Sequence, residues 1–62
     1  MSPQLASMPV SELRLVMVRL ECWTPRELAD TIGVHRTTVQ NWLNGKTGVP
    51  RYVAMLLRMM SA

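Results

Sequence analysis

Phenylalanine is absent from these 62 residues, and cysteine and histidine occur once each. The lone Cys22 can form no intrachain disulfide and no cysteine-based metal cluster, and it suits a reducing, cytoplasmic location. One His, one Cys and four carboxylates supply no nucleophile–base pair and no metal-ligand spacing. The sequence therefore argues against an enzyme and implies no cofactor and no metal. Low-complexity tracts and internal repeats are missing. The start, "MSPQLASMP", has neither a basic opening nor a long apolar run, so it does not read as a signal peptide. The most apolar stretch, "LRLVMVRL", is interrupted by Arg14 and Arg19 and is too short to span a bilayer. Neither a membrane partner nor a small-molecule ligand is evident. No aromatic is placed for stacking on bases, which speaks against RNA.

What is present is apolar material and an uneven charge. Hydrophobic residues make up 48% of the chain, including six Met. That is enough for one core, although a domain this small is marginally stable alone and gains from association. Net charge is +3 with a pI near 10.0. Residues 1–23 carry two basic and two acidic side chains, whereas residues 24–62 carry five basic against two acidic. All the excess lies in the second part, which suits a polyanionic partner.

Residues 1–8 read as a flexible N-terminal tail, followed by a single domain over 9–62. A first helix is expected from about Pro9 to Glu21, with Leu13, Val16, Met17 and Leu20 on one stripe. Leu15 and Val18 fall off it. The alternation through Leu13–Val18 also fits a strand, but a lone strand would find no partner. In "TPRE", Thr24 as N-cap, Pro25 at the first helical position and Glu27 form a capping box. A second helix follows to Ile32, ended by Gly33. A third covers His35 to Leu43 and stops at Asn44-Gly45. "KTGVP" is a loop, and Pro50 or Arg51 opens a last helix to about Met60. The expected fold is all-α, a compact four-helix domain with room for a short extra turn.

Two short helices joined by a tight glycine-containing turn make a helix-turn-helix, here over residues 25–44. Leu28, Ala29, Ile32, Val34, Val39 and Trp42 face inward and are all apolar, with small Ala29 where the helices approach. The outward set of the third helix is His35, Arg36, Thr37, Gln40, Asn41 and Asn44. These are hydrogen-bonding groups rather than the Lys and Glu of a merely solvated face. Arg36 can bond guanine bidentately, Gln40 or Asn41 can do so to adenine, and Thr37 can meet a thymine methyl, a base or a phosphate. His35 reads equally as an N-cap and as a DNA contact. Trp42 belongs to the core, and Cys22 to a buried or half-buried apolar site. Arg26 and Arg58 read as ordinary surface charges.

From Thr24 to about Tyr52, through "ELADTIGVHRTTVQNWLNGK" and "TGVPRY", the chain resembles the phage repressor and Cro type of helix-turn-helix domain, the XRE-like group. The resemblance implies a dimer on an inverted-repeat operator, with the second motif helix in the major groove of double-stranded DNA. It places His35, Arg36, Thr37, Gln40 and Asn41 at base edges. Phosphate contacts fall to Thr24, Arg26, Thr38, Asn44, Lys46 and Arg51, helped by exposed N–H groups at the start of the second helix. Gly48 and Val49 stand where relatives often carry basic residues, which weakens the expected grip there. Where many relatives pair a Glu with an Arg of the first helix, this chain has Leu43 opposite Met17 and Val18, an apolar replacement of an ion pair.

The last helix is apolar nearly all round. Val53, Leu56, Leu57 and Met60 form one stripe, suited to the core, and Tyr52, Met55 and Met59 another. An apolar surplus of this kind marks an interface, here a homodimer formed by Tyr52, Met55, Leu56, Met59 and Met60. The sequence thus reads as a cytoplasmic, sequence-specific transcriptional regulator, a repressor of phage or mobile-element type. A Cro-like switch, an antitoxin repressing its own operon and an anti-CRISPR-associated repressor all fit. The alternative is a protein-binding module, an antitoxin or adaptor acting through its C-terminal helix.

Overall fold

The computed structural model describes residues 8–62, so residues 1–7 of the expected tail lie outside the described residues. Four helices follow one another: α1 (Val10–Arg19), α2 (Pro25–Ile32), α3 (Arg36–Leu43) and α4 (Arg51–Met60). No strand occurs among the described residues. The strand reading of Leu13–Val18 gives way to helix because Leu13, Val16 and Met17 all go into the core.

Each boundary has a local cause. Pro9 opens α1 with an extended backbone, and its carbonyl accepts from Leu13 N–H at 3.0 Å. The helix closes two residues before Glu21, because Glu21 adopts a left-handed backbone at φ 59°. That turn lets Cys22 N–H reach Met17 O at 2.8 Å and Glu21 N–H reach Val18 O at 3.0 Å, the paired bonds of a Schellman ending. Glycine is the usual residue at such a position, so a glutamate there is strained. The capping box of α2 forms as expected. Thr24 Oγ1 accepts from Glu27 N–H at 3.2 Å, and Glu27 Oε1 accepts from Thr24 N–H at 2.9 Å. Gly33, at φ 77°, ends α2 and turns the chain into α3. Gly45, at φ 76°, does the same for α3, whose Asn41 carbonyl accepts from Lys46 N–H at 2.9 Å.

The core gathers Leu13, Val16 and Met17 of α1, Leu28 and Ala29 of α2, Val39 and Trp42 of α3, and Val53, Ala54 and Leu57 of α4. Leu20, Ile32, Val34 and Leu43 pack against it from the edge. Burial at about 25 cal/mol per Å² is the main term holding the helices together. Two placements depart from the sequence reading. Met8, assigned there to the tail, is 3% exposed and belongs to the core. With Trp42 and Val49 it lines a hollow of about 200 Å³. In α4 the buried stripe is Val53, Ala54 and Leu57, while Leu56 and Met60 point outward. The small Ala54, not Leu56, supplies the face on which α4 can approach the core closely.

Among the described residues, a polar contact joins α1 and α4. Arg58 of α4 grips Glu12 of α1 with two bonds, Nε to Oε2 at 2.7 Å and Nη2 to Oε1 at 2.8 Å. This hydrogen bond holds the Glu12 carboxyl below its usual range and raises Arg58.

Candidate nucleic-acid interface

The short turn Gly33-Val34-His35 sets α3 across α2, with Val39 and Trp42 sealed inward. With that face fixed, the opposite one is decided by helical geometry. His35, Arg36, Thr37, Gln40 and Asn44 are exposed, while Thr38 and Asn41 are half-buried. The exposed residues concentrate at the N-terminal end of α3.

His35 caps α3 through Nδ1, which accepts from Thr37 N–H at 3.5 Å. Nδ1 being the acceptor, the ring proton sits on Nε2 and is directed away from the cap. The cap and the contact readings of His35 are therefore compatible. One turn later, Gln40 Nε2 donates to Asn44 Oδ1 at 3.4 Å, a weak pair that aligns the two amides.

Arg26 lies closer to the reading end than a backbone role suggests. It shares a hollow of about 330 Å³ with Pro25, Arg36, Thr37 and Gln40. A second hollow of about 400 Å³ joins Arg26 and Asp30 to Val34, His35 and Arg36. Two guanidinium groups thus line one recess, and no ion pair to Asp30 occurs among the described residues. The α2–α3 notch is consequently cationic and donor-rich at the point where α3 begins.

The start of α2 behaves differently from expectation. Its amides are not open to a phosphate, because Glu27 Oε1 takes Trp23 N–H at 2.6 Å and Thr24 N–H at 2.9 Å, and Thr24 takes Glu27 N–H. Pro25 has no N–H, so only Arg26 N–H is left. The carboxylate that completes the cap satisfies the Trp23 and Thr24 amides itself, so a phosphate contact here would fall to side chains and to Arg26 N–H. Thr24 and Arg26 are exposed, as are Asn44, Lys46 and Arg51 around the next loop. Val49 is 2% exposed. It pins that loop to the core, so its position could present no basic side chain to a backbone.

Leu43 packs against the core and lines a groove together with Met17 and Val18. The exposed face of α4 carries Tyr52 and Met59 at 75% exposure, with Met55, Leu56 and Met60 beside them. Three features escaped the sequence reading. Met8 carries no periodic signal. The Glu12–Arg58 pair joins residues 46 apart. Trp23, 65% exposed, precedes a cap whose motif drew the eye elsewhere.

No helix is long and apolar enough to cross a membrane, and no cluster of His, Cys, Asp and Glu that could hold a metal occurs among the described residues. A family model described as a homeodomain-like domain matches residues 8–51, from the first core residue to the opening of α4. No curated protein and no solved structure matches the chain.

Proposed function

Because the chain belongs to the homeodomain-like family of helix-turn-helix domains, a DNA-binding fold, we propose that it is a dimeric, sequence-specific transcription regulator. It acts as a repressor by occupying an inverted-repeat operator. The observation that carries this reading is the exposed, hydrogen-bonding face of α3, closed on one side by Arg26. His35, Arg36, Thr37, Gln40 and Asn41 read base edges in the major groove. Thr24, Arg26, Thr38, Asn44, Lys46 and Arg51 hold phosphates and fix the register. The apolar residues of α4, Tyr52, Met55, Leu56, Met59 and Met60, meet their copies across a two-fold axis. That arrangement spaces two α3 helices for half-sites about one turn apart. This reading suits the cytoplasm of a prokaryotic cell and a phage or mobile-element switch of the repressor and Cro type.

Selection of binding sites from a random duplex pool at fixed salt tests the proposal. Enrichment of an inverted repeat supports dimeric readout. Binding that enriches no sequence and disappears as salt rises would reduce the interaction to charge attraction. The exposed α4 face would then favour the second reading, a protein-binding module such as an antitoxin or adaptor.

A further inference from the structure

We infer that the DNA-contacting surface continues beyond the helix-turn-helix onto a groove formed by Arg14 and Val18 of α1, Trp23, Pro25 and Leu43, which receives the sugar–phosphate backbone flanking each half-site. This rests on the DNA-reading function proposed above. The groove has a volume of about 340 Å³ and is open to solvent. Pro25 lines it and also lines the hollow shared by Arg26, Arg36, Thr37 and Gln40, so the two recesses adjoin at Pro25.

Its chemistry is mixed in a particular way. Trp23 is 65% exposed, an unusual state for the side chain with most to gain from burial. The ring is presented from a fixed backbone, since Trp23 N–H is bonded to Glu27 Oε1 at 2.6 Å within the capped turn. Arg14 is exposed on the same groove and makes no ion pair among the described residues. Val18 and Leu43 complete an apolar floor. A deoxyribose presents carbon to such a floor, and its phosphate accepts from the Trp23 Nε1–H and the Arg14 guanidinium. A wholly apolar occupant would cover both donors and satisfy neither.

The test compares the selected site in a duplex with one helical turn of flanking sequence on each side against the same site trimmed to its half-sites. Wild type, Trp23→Ala, Trp23→Phe, Arg14→Ala and Arg36→Ala are titrated on both. Trp23→Ala and Arg14→Ala should each weaken the flanked duplex by about tenfold, the scale of one hydrogen bond to a charged group. The loss should be indifferent to flank sequence and absent on the trimmed duplex, and Arg14→Ala should lower the salt slope by about one. Trp23→Phe should fall between, having kept the ring and lost the donor. In the wild type, flanked DNA should protect tryptophan emission from acrylamide, because Trp42 is already buried and the accessible signal belongs to Trp23. Unchanged binding by Trp23→Ala and Arg14→Ala, with Arg36→Ala impaired, overturns the groove assignment and leaves the DNA reading standing. Equal losses on both duplexes also overturn it, since the effect is then not on the flank. A wild type indifferent to the selected site, with Arg36→Ala unaltered, overturns both.

Discussion

Arg36 and Lys46 are both exposed cations, yet their removal should have different consequences. Arg36 stands at the first turn of α3, above a recess shared with Thr37 and Gln40. Its guanidinium has the planar fork that pairs with guanine, a contact worth about 1–3 kcal/mol of base discrimination. Lys46 sits beyond Gly45, and in its proposed role the ammonium meets a phosphate as a point charge. Arg36→Ala is therefore expected to weaken the selected site and relax its preference at one base pair. Lys46→Ala should weaken specific and random duplexes alike and reduce the slope of log affinity against log salt by about one. Titrations on both duplexes at several salt concentrations check this; identical behaviour of the two variants would sink the assigned roles.

The helices show where sequence preference and backbone demand agree and where they conflict. Gly33 and Gly45 occupy left-handed positions, and an added Cβ would meet nothing within 4 Å at either. Their requirement is therefore one of backbone conformation rather than space. Glu21 has the same kind of backbone, φ 59°, with a side chain that disfavours it. Glu21→Gly is expected to raise stability by about 0.5–1 kcal/mol, the strain relieved being partly offset by the freer unfolded chain. Urea unfolding reads this directly, and a loss of stability would mean that the Glu21 side chain contributes something the backbone argument omits.

At the scale of the molecule, two separable attachments of α4 are seen among the described residues. Val53, Ala54 and Leu57 hold it to the core, and the Arg58–Glu12 pair ties it to α1. The outward Met55 and Met59 contribute to neither. Met59→Glu should leave the fold intact and shift sedimentation from dimer to monomer. Affinity for a two-half-site duplex should then drop far more than affinity for a single half-site. A dimer that persists would remove α4 from the interface. The Arg58–Glu12 pair responds to acid. The hydrogen bond from Arg58 depresses the Glu12 pKa in the folded state. Its contribution is therefore complete above the ordinary carboxylate pKa of the unfolded chain and fades as pH falls through the depressed folded value. The melting temperatures of wild type and Glu12→Gln should differ at neutral pH and converge in acid. The difference should also shrink in high salt, because the pair is exposed.

Much of the framework was written locally. "TPRE" specified the cap of α2, Gly33 and Asn44-Gly45 specified two helix ends, and the apolar spacing of Leu28, Ala29, Val39 and Trp42 assigned the inward faces of the motif. Those faces in turn exposed the polar set from His35 to Asn44, since each choice depends on neighbours within one or two helical turns. Other features required distant parts of the chain to meet. Periodicity offered two stripes on α4, neither of them containing Ala54, and only the packed core put Ala54 inside with Val53 and Leu57 and turned Leu56 and Met60 outward. Met8 and Val49 look like tail and loop until Trp42 is beside them. Arg26 comes to share a recess with Arg36 through the crossing of α2 and α3, and the Glu27 carboxylate satisfies the Trp23 and Thr24 amides at once. Local propensity is encoded in adjacent residues, whereas the filling of a core and the meeting of charges are properties of the packed chain.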